Sequence, residues 1–226
     1  MLRKALLFGF LLLLTQVGFA DTYYWAHWTS STANSVSGTI TLPDATVINV
    51  TYTGPYYFAQ LNENPANTAW WTYNPATYTG GNVDNGPGTN TDIIAIGTGA
   101  RFDTLTFSTA VANPVMTIMS LNGPGFVFDQ DFSVLNSGCG YWGCATLLDN
   151  ATNHLVSQNG GEGHGIIQFG PSVSSISWNE DSAENWRGFT VGIAGPAAPA
   201  VPEPASIVCM LSGALGLARK FRARRA

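Results

Sequence analysis

Basic side chains are nearly missing from the body of this 226-residue chain: between positions 21 and 200 only Arg101 and Arg187 are positive. Thirteen carboxylates in the same stretch against those two arginines leave a formal charge of −11. A surface of that sign repels nucleic-acid phosphates and anionic headgroups, which excludes nucleic acid as a partner. Cysteine is scarce, with three in all, and the two in the body, Cys139 and Cys144, stand in CGYWGC. The C-x4-C spacing is not the redox C-x-x-C, and no second Cys or His pair stands at zinc-ligand spacing. The pair reads as a local disulfide, ahead of two free thiols or a metal site. Such a short loop would stabilise by only about 2 kcal/mol. No amphipathic-helix pattern, EF-hand loop or Gly-x-Ser-x-Gly elbow is present. No cofactor is implied.

The body has instead short alternating runs rich in Thr, Ser, Asn, Gly and aromatics. In VINVTY, Ile48, Val50 and Tyr52 share one face, with Asn49 and Thr51 on the other. In GFVFDQDFSVL, Phe126, Phe128, Phe132 and Val134 alternate with Val127, Asp129, Asp131 and Ser133. In SSISW, Ile176 and Trp178 oppose Ser175 and Ser177, and in RGFTVGI, Phe189, Val191 and Ile193 line up. A period of two is that of strands, and a dry face opposite a wet one is that of antiparallel sheets. Turn residues punctuate the runs, as in Asn122-Gly123-Pro124-Gly125 and Asn159-Gly160-Gly161. The expected fold is all-β, a single antiparallel β-sandwich of jelly-roll-like type over 21–195.

Both ends differ from this body. Arg3 and Lys4, the apolar run Ala5 to Leu14, and small residues Gly18 and Ala20 before Asp21 predict a cleaved signal peptide over 1–20. Small and proline-rich residues over 196–201 read as a linker. Over 202–226 three parts follow in order. Pro202 and Pro204 stiffen an extended segment around Glu203. Ile207 to Ala218 would make a helix of about 18 Å, short of a hydrocarbon core of about 30 Å. Arg219, Lys220, Arg222, Arg224 and Arg225 would stop transfer on the cytoplasmic side.

Val201-Pro202-Glu203-Pro204-Ala205-Ser206, the Ser212 to Ala218 run and the basic cluster closely resemble the PEP-CTERM sorting signal. The resemblance covers the last 26 residues. It implies recognition by an exosortase, a membrane cysteine protease or transpeptidase acting near the Pro-Glu-Pro. It also implies a Gram-negative bacterium, transient residence in the inner membrane, and a destination at the cell surface or in an extracellular matrix, with exopolysaccharide as a further partner. The blocks NPVMTIMSLNGPGFVFDQDFSVL, GEGHGIIQFG, VSSISW and ENWRGFTVGI are similar to blocks in the β-rich bodies of other PEP-CTERM proteins. That likeness supports the fold class and brings no catalytic residue.

Chemistry in the body is thinly signalled. Asp129 and Asp131 on one strand face, with Asp149 nearby, are a weak Ca²⁺ candidate, as are Asp84, Asn85 and Asp92. A solvated face or Asp-stabilised turns explain both more simply. Glu162 and His164 in GGEGHG, with His154 upstream, read as a glycine hairpin rather than a metal or hydrolytic centre. Trp70, Trp71 and Tyr73 are the best sugar-stacking candidates, with Tyr56-Tyr57 behind them; core packing is the plainer reading for any one of them. The function expected is a non-enzymatic, structural or adhesive surface protein. A carbohydrate-binding module and a polysaccharide hydrolase are the alternatives.

Overall fold

The computed structural model describes residues 22–196, apart from 63, 65, 89–91, 98–101, 124, 151 and 181–183. The expected signal peptide, the linker beyond 196 and the sorting tail, with Pro202, Glu203, Pro204 and the five basic residues, lie outside the described residues. In chain order the strands are β1 (Tyr24–Trp25), β2 (His27–Thr32), β3 (Ser35–Thr41), β4 (Val47–Thr53), β5 (Phe58–Ala59), β6 (Ile94–Ile96), β7 (Phe102–Ala112) and β8 (Val115–Leu121). They continue as β9 (Phe126–Phe128), β10 (Phe132–Gly138), β11 (Leu147–Asp149), β12 (His154–Ser157), β13 (Gly163–Phe169), β14 (Val173–Glu180), β15 (Arg187–Ile193) and β16 (Gly195–Pro196).

These strands form two sheets whose named pairs are all antiparallel. A seven-stranded sheet runs β10-β13-β8-β15-β6-β5 with β1 against β15; a nine-stranded sheet runs β11-β12-β9-β14-β7-β4-β3-β2 with β16 against β7. The sandwich expected from the alternation is therefore present. In β4, Ile48, Val50 and Tyr52 are buried while Val47, Asn49 and Thr53 are exposed. In β14, Ile176 and Trp178 point into the core and Ser175 is exposed. Between the sheets Tyr52, Phe126, Phe128, Trp178 and Phe189 interlock, with ring centroids 5.5–6.1 Å apart where they meet. Edge-on contacts of this kind add to the burial of large rings, itself worth about 1.5–3 kcal/mol per fully buried side chain.

Two expectations need correction. GFVFDQDFSVL is not one strand. The chain breaks at Asp129-Gln130-Asp131, so β9 joins the nine-stranded sheet and β10 the seven-stranded one. Asp129 caps this corner by accepting from the Ser177 amide at 3.0 Å. Alternation of hydrophobics persists through such a corner, because both strands turn their aromatics to the same core.

The seven-stranded sheet also has no wet face along its central strands. Every residue of β8 and of β15 is buried. The cover on its outer side is an irregular segment with two 3-10 turns, Trp70–Thr72 and Pro75–Tyr78. Trp71 and Tyr78 from these turns pack with Ile93 and Met119 as a separate small core. A third layer of loop, not a helix, thus buries Met119 on the face where a two-layer sandwich would place polar residues.

Candidate functional site

The site grows from a flaw in the ladder between β8 and β13. Ile118 pairs with Gly165 and Leu121 with Gly163, so Met119 and Ser120 together oppose His164. That is a β-bulge, which re-aims side chains and is favoured beside functional sites. Ser120 takes φ = 60° to make it. Its displaced N–H donates to His164 Nδ1 at 3.3 Å, and the Tyr78 hydroxyl meets the same nitrogen at 3.3 Å. Two donors on Nδ1 place the imidazole proton on Nε2, which has no hydrogen-bond partner among the described residues. Gly140 lies over this ring: a Cβ there would come within 2.1 Å of Nδ1. The glycine after Cys139 is thus required by contact with His164, and it lets the CGYWGC loop sit down on β13.

The bulge turns Ser120 into a pocket lined also by Asn122, Trp142, Glu162, Glu184, Asn185 and Trp186. These residues come from the end of β8, the loop after β10, the segment before β13 and the approach to β15. Glu162 accepts from Ser120 Oγ, and from Asn122 Nδ2 at 2.7 Å. Glu184 accepts from the Asn122 amide at 3.2 Å and from Arg187 Nη1 at 2.9 Å. Arg187 in turn reaches Glu180 Oε2 through Nη2 at 2.7 Å and stands 4.9 Å over the Phe126 ring. One buried cation therefore ties β14 of one sheet to β15 of the other, directly behind the pocket.

Beside the pocket lies an aromatic shelf. Trp70, Trp142 and Trp186 contact one another with centroids 4.8–5.5 Å apart. Tyr141 touches Trp70 and Trp142, and Tyr73 touches Tyr141. Tyr73, Tyr141 and Trp142 remain 64, 44 and 43 % exposed. Cys139 and Cys144 are joined as a disulfide that closes the loop carrying Tyr141 and Trp142.

Of the sequence candidates, Trp70 and Tyr73 join this shelf. Trp71 does not. It sits in a 3-10 turn, not a strand, and is core against Tyr78 at 5.1 Å. Tyr57 is exposed and contacts only Phe58 among the described ring pairs. The hairpin read into GGEGHG is instead a crossover between sheets, since β12 and β13 belong to different ones, and it delivers Glu162 to the pocket. His154 is on β12, in the other sheet from His164.

Asp129 and Asp131 are exposed at the corner. Asp84 accepts from Thr22, Asn85 holds the backbone of Tyr23, and Asp92 accepts from the Trp28 amide at 2.8 Å. These acidic loops fasten the first strands. Among the described residues no group of three His, Cys, Asp or Glu side chains is gathered to hold a metal ion.

Sequence reasoning missed Tyr141, Trp142, Glu184 and Trp186 as site residues. The available signal was CGYWGC itself: a loop that short cannot bury its own two rings. Three of the four blocks noted above, SLNGPG, GEGHG and ENWRG, meet at this one pocket. No family model, no curated protein and no solved structure matches the chain.

The buried groups behind the pocket set opposed pH dependences. Burial pushes the Glu184 carboxyl up to about 7 from 4.5, with Arg187 and the Asn122 amide opposing and Glu162 adding repulsion. The stability linked to this proton is complete below about 4.5 and is lost as pH rises through about 7. Burial lowers His164 to about 4 from 6.5, with Glu162 pulling the other way. Its share is present above 6.5 and lost as pH falls through about 4. Between about 4.5 and 6.5 the two slopes oppose, so their joint contribution is nearly flat. Glu184→Gln should unmask the histidine. Unfolding free energy from urea titrations should then rise from pH 4 to 6.5, relative to the unaltered protein, by on the order of 3 kcal/mol. A variant profile superimposable on that of the unaltered chain would contradict this assignment.

Proposed function

We propose that this chain is an exported surface or matrix protein of a Gram-negative bacterium, released from the inner membrane by an exosortase. Its β-sandwich serves there as an adhesive, non-enzymatic module that holds polysaccharide. The delivery part is supported by the PEP-CTERM-like tail and by the signal-peptide pattern at the front. The local disulfide suits an oxidising compartment. No helix among the described residues is long and apolar enough to cross a membrane, so anchoring in this reading is the work of the tail.

The observation that carries the adhesive part is the exposed shelf of Tyr73, Tyr141 and Trp142 beside a polar pocket. Rings left partly in water, next to fixed hydroxyl, amide and carboxylate groups, present both halves of a sugar site. One offers a flat apolar surface to pyranose C–H groups, and the other orients the hydroxyls.

A hydrolase is the second reading, favoured by one fact: Glu162 and Glu184 share the pocket, as do the acid and base of glycosidases. Against it, both carboxylates are engaged by Asn122, and Glu184 also by Arg187. Polysaccharide incubated with the protein should release no new reducing ends. If it does, and Glu162→Gln stops the release, the adhesive reading gives way to catalysis.

Delivery is tested by mass spectrometry of the protein's C-terminus from its native cell, with and without the exosortase. The expected result is a chain shortened near Pro202-Glu203-Pro204 only when the enzyme is present. An intact tail in both samples would end the sorting reading.

A further inference from the structure

The pocket beside the shelf narrows the ligand further, and the narrowing rests on the saccharide reading above. Its apolar lining is the indoles of Trp142 and Trp186, which meet edge to face with centroids 4.8 Å apart. Its polar lining is Glu162, Glu184, Ser120 and two asparagines. Among the described residues no cationic side chain lines it. Arg187, directly behind, is 1 % exposed and held between Glu180 and Glu184. The cavity, about 220 Å³, is smaller than the roughly 300–1,000 Å³ of sites for drug-sized ligands, so it takes one sugar ring or one substituent.

Glu162 has two hydrogen bonds, from Ser120 and Asn122. A carboxylate offers about four acceptor positions, so it can take further donors. The hydroxyl and amide that hold it also fix its direction, which lowers the ordering cost of binding. Indole faces attract cations and stack on sugar rings. Both kinds of wall therefore favour the same occupant, a positively charged group carried on a pyranose, and both are poor partners for a carboxylated sugar.

We propose that this pocket binds the protonated amine of a 2-amino sugar, in a partly deacetylated hexosamine polysaccharide. The ammonium group lies against Glu162 and the indole walls, and the next ring along the chain rests on Trp142 and Tyr141. No bond is made or broken. N-acetylation removes the charge and enlarges the substituent, so acetylated residues are held by the shelf alone. Polyuronates are repelled by the carboxylates and by the acidic body.

The test is calorimetric titration of the full chain with glucosamine oligosaccharides, their N-acetylated counterparts, cello-oligosaccharides and oligouronates of matched length. Glucosamine oligosaccharides should bind roughly 10-fold more tightly than the acetylated or neutral ones, the gain from a charge-assisted bond together with a cation–π contact. Oligouronates should not bind, and added salt should erode the 10-fold preference. Glu162→Gln should abolish the preference while retaining binding to the shelf. Should that variant not fold, Trp142→Ala, on the exposed rim, should weaken all oligosaccharides and also narrow the preference for the free amine, because it removes one of the indoles that line the pocket; an unchanged 10-fold preference would contradict the cation–π share. Equal affinity for free-amine and acetylated forms overturns the amine assignment and leaves the saccharide reading standing. Absence of binding to every oligosaccharide overturns both.

Discussion

Arg187→Met should lower the unfolding free energy by about 3–5 kcal/mol, the cost typical of removing one partner from a buried ion pair. The Arg187 guanidinium stands between Glu180 and Glu184 at 2.7 and 2.9 Å, and all three residues are buried. Without it Glu180 and Glu184, two carboxylates of like charge between the sheets, lose the guanidinium that offsets their desolvation. Methionine keeps much of the apolar stem, so the packing over Phe126 suffers less than the charge balance. For a domain of this size each kcal/mol moves the melting temperature by about 2–4 °C, so a fall of at least about 6 °C is expected in a thermal scan.

A second variant separates the charge effect from lost packing. With Glu180→Gln and Glu184→Gln added to Arg187→Met, the site is neutral, and most of the loss should return. A single variant as stable as the unaltered protein would mean that the ion triad contributes nothing to holding the sheets together. The triad is also the support behind the pocket. On the saccharide-binding proposal, the single variant should therefore also weaken oligosaccharide binding at temperatures where the protein is fully folded.

Gly125→Ala should cost at least about 2 kcal/mol, since strained backbone and overpacking, each worth about 1–3 kcal/mol, act there together. Gly125 has φ = 92°, and a Cβ on it would lie 1.8 Å from the Leu155 carbonyl oxygen. That oxygen belongs to β12, whose Leu155 is in register with Phe126 of β9. The collision is with backbone, so relief requires the β9–β12 ladder to move. Gly160→Ala is the matched control: its φ is 66°, but nothing lies within 4 Å of the added carbon. That variant should lose only the backbone share, about 1 kcal/mol. Urea unfolding of the two side by side decides the matter. Equal losses would show that φ alone, not the approach of β12, demands a glycine at 125. Because the turn before Gly125 carries Asn122, the first variant should also impair ligand binding and the second should not.

The strands could be read in the sequence because alternation is a local property. Ile48, Val50 and Tyr52, or Ile176 and Trp178, are sorted inward by the pleat alone, wherever the strand is placed. The same locality explains the errors. Phe126, Phe128, Phe132 and Val134 keep one parity, broken only by the polar Gln130, yet the chain changes sheets at Asp129-Gln130-Asp131; a corner whose two arms face one core leaves the period intact. The buried outer face of β8 and β15 was equally illegible, since its cover comes from distant parts of the chain: Trp71 and Tyr78 over Met119, Tyr23 and Val83 over Val115, and Trp25 over Gly192. Nothing in the spacing of Trp70, Trp71 and Tyr73 says which of the three rings faces outward. A 3-10 turn sends Trp71 to the core and leaves its neighbours for the shelf.

The sequence by itself determined the acidic, strand-rich body, the cysteine loop and the order of proline, apolar and basic residues at the C-terminal end, because charge, period and short-range spacing are properties of contiguous residues. Tertiary structure alone decided the pocket. Ser120, Trp142, Glu162 and Glu184 are far apart in the chain, and they meet only because repeated crossings between the sheets and one bulged pairing bring four segments to the same end of the neighbouring strands β10, β13, β8 and β15. Which ends coincide depends on strand order and register. Those are fixed by the packing of the two sheets together, not by any pattern within one strand.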